Sequence, residues 1–390
     1  MKFNLKKLLK RYKSGNKVLL VKSGEEYFSV LKKIIIEAKN EIHFQTYILS
    51  DDSTGRMIVD ELIDAKKRGV EVYLLIDSYG SRNLSKNFTK QIIDSGIHFR
   101  YFAPVITSKG FCLGRRLHQK IVVIDSKIAL IGGINIADRY MGTEDKKPWL
   151  DFALLIKGKI CEDVSNICDS FWERKFLNKK RKNNIKQLTD KVYPLLRIRQ
   201  NDWMREKNQI SRSYKNAFKN AEKYITIVGA YFLPSRKLRY LIKKAVDRGV
   251  KVKIILSKKS DERVFQLAMD YLYRWMHRNN IEIYEYHPSV VHGKATVVDD
   301  TWLTIGSHDL NFLSTYGLIE MNIDVLDVSL AEEFNSYLEN IIQKDCIKIT
   351  TEHLEKKWIF EKFLSWFTYV LVRISELFLI FLSRNDKNNE

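Results

Sequence analysis

The chain is written twice, and that duplication limits its fold more than any other feature. "NEIHFQTYILSDDSTGRMIVDELIDAKKRGVEVYLLID" at 40–77 and "KYITIVGAYFLPSRKLRYLIKKAVDRGVKVKIILS" at 223–257 follow one plan. Each opens on an apolar strand ending near a tyrosine, Tyr47 or Tyr231. A turn follows, then a helix with apolar residues at i, i+3, i+4 spacing. Each helix closes on Arg-Gly-Val: Arg68-Gly69-Val70 and Arg248-Gly249-Val250. The glycine suits the left-handed position past a helix C-terminus, and the valine starts the next strand. The two Arg-Gly pairs stand 180 residues apart, 68 against 248, far beyond the period of a solenoid. Strand–helix–strand order in each copy implies parallel pairing. The expected fold is α/β: two pseudo-symmetric domains, each a mostly parallel or mixed β-sheet flanked by helices.

A shorter motif recurs 174 residues apart, 118 against 292, as "RLHQKIVVIDS" (116–126) and "VVHGKATVVDD" (290–300). Both read His-x-Lys, four residues, Asp: His118, Lys120, Asp125 and His292, Lys294, Asp299. In a strand, residues i and i+2 share a face, so each histidine points with its lysine. Each aspartate follows its histidine by seven positions, an odd offset, where the apolar run ends; Asp125 and Asp299 therefore suit a supporting role better than direct chemistry. Each copy is followed by a glycine-rich turn, "IGGIN" (131–135) and "IGSHD" (305–309). One His-x-Lys is weak evidence, but two at matching places in a duplicated domain point to one shared cleft. The lysines match a phosphoryl group in charge and stabilise charge developing on its oxygens. One neutral histidine can attack phosphorus while the other, protonated, gives a proton to the leaving oxygen. The near symmetry of the motifs leaves open which does which.

The paired His-x-Lys-x4-Asp motifs resemble those of the phospholipase D superfamily. "QTYILSDDSTGRMIVDEL", "RGVEVYLLIDSYGS", "YFLPSRKLRYLIKKAVDRGVKV" and "GLIEMNIDV" resemble bacterial cardiolipin synthases, in a short form without N-terminal transmembrane segments. The resemblance runs from about residue 18 to about 345. It implies two phospholipase D-type domains with one active site at their interface. It implies His118 as nucleophile, His292 as general acid, and Lys120 and Lys294 as phosphate-binding groups. Such enzymes usually carry an acidic residue downstream of each motif that orients a histidine, and Asp151 and Glu320 fit. The family turn is commonly Gly-Ser-x-Asn, which implies supporting roles for Asn135 and Ser307. Here Gly133 lacks the serine hydroxyl and Asp309 replaces the asparagine; His308 reads as a turn residue. The implied reaction transfers a phosphatidyl group to the alcohol of a second phospholipid, two phosphatidylglycerols giving cardiolipin and glycerol. The alternatives are a hydrolytic phospholipase D, a nuclease of the same superfamily, and a non-catalytic membrane module.

With 390 residues, 45% hydrophobic and 29% charged, the chain is globular and long enough for two full cores. A net charge of +20 favours an anionic partner, either nucleic acid or an anionic membrane surface. The tail helps to decide between them. In "WIFEKFLSWFTYVLVRISELFLIFLSR" (358–384) the longest charge-free apolar run is 363–372, too short to span a bilayer. Its polar residues fall in one stripe at 100° per residue, the pattern of an in-plane interfacial helix. A helix packed on the domain or on another subunit, and a tilted span, are the other readings. The expected partners are phospholipid substrates and an anionic membrane surface, with no nucleic acid, and the expected location is the cell membrane, through the tail, at its cytoplasmic face. Four scattered cysteines and eight histidines form no metal-ligand spacing, so no metal and no cofactor is expected. The expected organisation is a basic N-terminal segment at 1–17, domains at 18–177 and 208–350, a basic connection at 178–207, and the amphipathic tail at 351–390.

Overall fold

The computed structural model describes residues 12–104, 106–107, 110–111, 115–173, 194–355 and 359–386. The first half forms one sheet from β1 (Asn16–Lys22), β2 (Glu41–Thr46), β3 (Glu71–Asp77), β4 (His98–Phe102), β5 (Lys120–Ile124), β6 (Ile128–Gly132) and β7 (Phe152–Gly158). Their order in the sheet is β1-β7-β6-β5-β2-β3-β4. The second half forms another from β8 (Leu195–Asp202), β9 (Tyr224–Gly229), β10 (Lys251–Ser257), β11 (Glu282–Tyr286), β12 (Lys294–Val298), β13 (Trp302–Gly306) and β14 (Leu318–Leu326). Their order is β8-β14-β13-β12-β9-β10-β11, which repeats the first arrangement, and the short strands Lys207–Asn208 and Cys346–Lys348 extend the sheet beyond β8 and β11. Both sheets are mixed. Among these strands parallel pairing joins β2-β3-β4 and β9-β10-β11, the strand–helix–strand units visible in the sequence. The hairpins that carry the motifs pair antiparallel with their neighbours.

This order corrects two boundaries. Residues 195–202, expected in the connection, are strand β8, antiparallel to β14 as β1 is to β7. The stretch carries alternating arginines, which hid its strand character; Arg197 is buried and donates to Asp324 at 2.7 Å. Residues 178–193 lie outside the described residues, as do 1–11. Of the N-terminal segment, Lys13 exchanges backbone hydrogen bonds with Leu196 (2.7 and 2.9 Å), and Tyr12 is buried beneath the Arg197 guanidinium, 4.3 Å from its ring centre.

The repeated Arg-Gly-Val has a local cause. Helices α1 (Ser53–Lys67) and α2 (Arg236–Asp247) are capped at their N-termini by Asp52 and Ser235. Past their C-termini, Gly69 and Gly249 have φ of +90° and +91°, open to glycine at little cost. The arginine before each glycine reaches back to cap a preceding segment: Arg68 donates to Ile35 O, and Arg248 to Phe218 O and Ala221 O, all at 3.0 Å.

The motif strands are apolar throughout because both faces are buried. In β5, Val122 and Ile124 face the core of the first half, whereas Ile121 and Val123 face a central core shared by both halves. Phe152 and Leu154 of the first half meet Ala295, Val297 and Ile323 of the second there.

At the far end of each motif strand the aspartate fastens the hairpin to the start of the neighbouring strand. Asp125 accepts from the backbone N–H groups of Lys39, Asn40 and Glu41 at 2.7–3.0 Å. Asp299 accepts from Glu222, Lys223 and Tyr224 at 2.7–2.9 Å. Both have positive φ, a conformation that aspartate tolerates better than most residues. Asp125 and Asp299 were grouped above with the catalytic motif; they are fold-building residues at the opposite end of the strand from the histidines.

The tail is a helix, α4 (Ile359–Asp386), laid against α3 (Arg263–Arg278). Part of its polar stripe turns to the protein, while Glu361 and Ser375 are exposed. Ser365 and Thr368 are buried, and Arg373 donates to Pro234 O at 2.8 Å. Tyr369 packs on Tyr271 with ring centres 4.7 Å apart. Phe360, Phe363, Trp366, Phe367, Leu371 and Ile374 point outward and are exposed. Among the described residues no helix is long and apolar enough to cross a membrane.

Asp125→Ala and Asp299→Ala each leave three backbone donors without their shared acceptor. Each should cost about 1–3 kcal/mol of stability, read as a lowered midpoint in urea unfolding.

Candidate active site

The two motif histidines line a single cleft of about 660 Å³ between the halves. Tyr47, Tyr79, Arg82, Asn135, Arg139, Tyr140, Trp149 and Tyr231 share its walls, with Asp309. Each histidine stands just ahead of its strand, and its backbone N–H is bonded to the other half. His118 donates to Ile319 O at 3.0 Å, and His292 to Leu150 O at 2.9 Å. Short parallel bridges accompany these bonds, Arg116–Leu117 with Leu318–Ile319 and Leu150 with Val291.

The residue after each of these carbonyls is the orienting carboxylate, so the carboxylates are exchanged between halves. Glu320, in the second half, faces His118 Nδ1 at 3.0 and 3.1 Å. Asp151, in the first half, faces His292 Nδ1 at 2.6 Å. Both carboxyls were expected as partners of the motif histidines, and each serves the histidine of the opposite motif. With the carboxylate ionised, Nδ1 is the donor, which leaves Nε2 as the reactive nitrogen.

Lys120 and Lys294 are buried, and each donates its Nζ to the carbonyl of its own motif histidine, for Lys120 at 2.5 Å. Lys120 lies 5.3 Å from the centre of the Tyr47 ring and Lys294 5.9 Å from that of Tyr231. The two tyrosines that close the duplicated strands are thus equivalent wall residues of the site. Their matched positions were visible in the sequence; what they cover was not. Gly293, between His292 and Lys294, is required by the packing of the halves, since a Cβ there would sit 2.9 Å from the Phe152 ring.

The turns account for the departures from the family pattern. Ser307 donates to Glu320, and its backbone N–H to Met321 O at 3.0 Å, fixing that carboxylate. At the equivalent Gly133 a Cβ would lie 2.5 Å from Asp151 Oδ1, so Asp151 fills the space a serine would need. Phe152 N–H donates to Asp151 Oδ1 at 2.7 Å in place of that hydroxyl. Asn135 accepts from Ile48 N–H at 3.1 Å and donates to the Tyr140 hydroxyl at 2.8 Å. Asp309 lies 3.6 Å from Lys294 Nζ, and its Oδ1 has no hydrogen-bond partner. His308 is buried against Tyr214 and is not a wall residue of the cleft.

Burial dominates the electrostatics. It holds both histidines well below their ordinary pKa, aided by Lys120 at His118 and by Lys294 at His292. It pushes the carboxyls of Asp151 and Glu320 up to about 7, and lowers Lys120 to about 7. Burial also raises Asp309, against the pull of Lys294 and His118.

Two equivalent histidine–lysine pairs in one cleft between duplicated mixed sheets define an enzyme of the phospholipase D superfamily. A family model described as "Cardiolipin synthase, PLD-like domain" matches residues 31–174 and again 214–342, and the chain belongs to that family. It is 31% identical over 353 residues to cardiolipin synthase B of Shigella flexneri, covering 89% of this chain and 85% of that one. Cardiolipin synthase 1 of Bacillus cereus is 27% identical over 357 residues, covering 87% of this chain and 67% of that protein. Among solved structures, phosphatidylserine synthase from Haemophilus influenzae superposes with a TM-score of 0.71 at 15% identity, covering 94% of each chain. That likeness concerns the fold.

Proposed function

We propose that the chain is a cardiolipin synthase-like phosphatidyltransferase that joins two phosphatidylglycerols into cardiolipin and glycerol. The observation that carries this reading is the pair of histidines in one cleft, each held through Nδ1 by a buried carboxylate of the other half. His118 Nε2 attacks the donor's phosphorus. The bond from phosphorus to the glycerol oxygen breaks, and that oxygen takes a proton from His292 Nε2. A hydroxyl of the second lipid then attacks the phosphohistidine from the side glycerol left. Its proton passes to His292 as the P–N bond breaks and the electron pair returns to His118. Lys120 and Lys294, with ammonium donors beyond those given to the histidine carbonyls, offset charge on the phosphoryl oxygens. Asp151 and Glu320 fix tautomer and orientation, supported by Ser307 and Asn135.

The exposed face of α4 supports membrane attachment. Six large apolar side chains on one side of a helix, on a chain of net charge +20, suit a bilayer with anionic headgroups. The helix also touches Phe312–Tyr316 and the carbonyl of Pro234, beside the cleft-lining Leu313 and Tyr231. The cleft mouth would therefore meet the lipid surface.

Purified protein with labelled phosphatidylglycerol vesicles should form cardiolipin and glycerol, and His118→Ala and His292→Ala should each reduce formation at least a thousandfold. Phosphatidic acid as the sole product would make the enzyme a hydrolase instead. Substantial activity in either variant would overturn the shared site.

The reaction needs one histidine free and the other protonated, so kcat/KM should be bell-shaped in pH, and burial, which lowers both imidazoles, should draw its limbs below the ordinary histidine range. Lys294, His118, Glu320 and Lys120 face Asp309, whose negative charge raises the proton affinity of His118. Asp309→Asn should let His118 lose its proton at lower pH, moving the acid limb to lower pH. An unmoved limb would mean that Asp309 is neutral in the free enzyme.

Trp366→Asp combined with Phe367→Asp removes two exposed aromatics, each worth about 2 kcal/mol on leaving water. Vesicle binding should weaken at least tenfold, with the thermal midpoint held because neither side chain is buried. Binding as tight as wild type would rule out this face as the membrane contact.

A further inference from the structure

The cleft holds two arginines that the reaction just described leaves unused, and they sit on opposite sides of it. Arg82 lies with its guanidinium 4.5 Å from the centre of the Tyr79 ring, and it donates to Tyr79 O at 3.0 Å. The neighbouring Gly80 is packed against Tyr47, whose ring meets that of His118 at 4.9 Å. Arg82 therefore belongs to the His118 side. Arg139 belongs to the His292 side. Its guanidinium lies 5.0 Å from the Trp149 ring centre and 5.5 Å from that of Tyr140. Those two rings are 5.9 and 5.1 Å from the His292 imidazole. Trp149 N–H donates to Arg139 O at 2.9 Å, so the backbone of the ladder is fixed.

Arg139 is exposed to the cleft, and among the described residues no carboxylate is paired with it. Three carboxylates of the neighbouring segments are engaged elsewhere. Asp138 accepts from Thr54 N–H at 2.7 Å, Asp52 from Gly55 and Asp138 N–H at 2.9 and 3.0 Å, and Asp261 from the Tyr231 hydroxyl at 2.7 Å. An unneutralised guanidinium on an aromatic platform, with its fork free, is suited to a phosphodiester.

We propose that Arg139 is the binding residue for the acceptor lipid's own phosphodiester, a second anion subsite that selects a phospholipid alcohol over water or a simple alcohol. This rests on the phosphatidyl-transfer reading with His118 as nucleophile. In-line displacement puts the attacking nitrogen and the departing oxygen on opposite sides of phosphorus. The acceptor hydroxyl re-enters where glycerol left, beside His292. In phosphatidylglycerol three carbons separate that hydroxyl from a phosphate, which is then carried outward along the His292 wall towards Trp149 and Arg139. During the step the acceptor oxygen bonds to the phosphorus, its proton goes to His292, and the P–N bond to His118 breaks. Arg139 takes no part in these bond changes and holds only the remote anion.

The test is a competition within one reaction. Full-length protein is given vesicles of labelled phosphatidylglycerol in the presence of ethanol, and cardiolipin, phosphatidylethanol and phosphatidic acid are measured together. Loss of folded protein lowers all three and cancels in their ratio. Arg139→Gln should lower the ratio of cardiolipin to phosphatidylethanol about tenfold, through a raised KM for the acceptor lipid, as expected for a lost charge-assisted contact. Arg139→Lys should restore part of it, and Arg82→Gln should leave the ratio within about twofold of wild type. An unchanged ratio in Arg139→Gln, or an equal fall in Arg82→Gln, overturns the proposal. A fall confined to Arg82→Gln also overturns it, and would place the acceptor beside His118, making His292 the nucleophile. Phosphatidylethanol without cardiolipin from the wild type would instead remove the lipid acceptor from the functional reading, and no phosphatidyl product at all would remove the reading itself.

Discussion

The site depends on two hydrogen-bonded pairs that cross from one half of the chain to the other. Glu320 holds His118 and Asp151 holds His292, and in each case the preceding carbonyl also accepts the histidine's backbone N–H. Backbone and side chain of each histidine are thus referenced to the opposite sheet. A relative shift of the halves would break four such contacts together. The central core of Ile121, Val123, Phe152, Ala295, Val297 and Ile323 resists that shift, and Gly293 lets the halves approach closely enough for the crossing to form.

Burial gives these contacts their chemistry. An exposed histidine and carboxylate would titrate separately near their ordinary values, whereas here burial pushes the imidazoles well below theirs and the carboxyls up to about 7. The lysines supply positive charge from beneath, and Asp309 removes some of it on one side. The two half-sites are therefore alike in geometry and unlike in charge.

Much of this was legible in the sequence, because duplication makes weak signals check one another. The α/β class, the shared cleft and both histidine–lysine pairs follow from matched spacings, whereas the candidacy of Asp151 and Glu320 comes from the resemblance to the phospholipase D superfamily. The glycine at each helix end follows from Arg-Gly-Val alone. What was not legible depends on register across the interface, which local patterns do not encode. The carboxylates are exchanged because β7 and β14 each lead in from a bridge with the other half. Strand β8 was hidden because its arginines are buried against Asp324, so its composition imitated a basic linker. The packing of α4 on the domain was not legible because a helix with one polar stripe gives no sign of whether that stripe meets water or protein.

A gene that doubles itself ordinarily acquires a spare, one copy free to drift while the other works. The exchanged carboxylates remove that freedom. Neither half contains a complete oriented histidine, so a change at Asp151 is felt by the second motif and a change at Glu320 by the first. The halves behave less like two versions of one domain than like two hands of one grip. Their visible differences, Gly133 against Ser307 and Asn135 against Asp309, lie in the turns beside the crossing and leave the crossing itself in place.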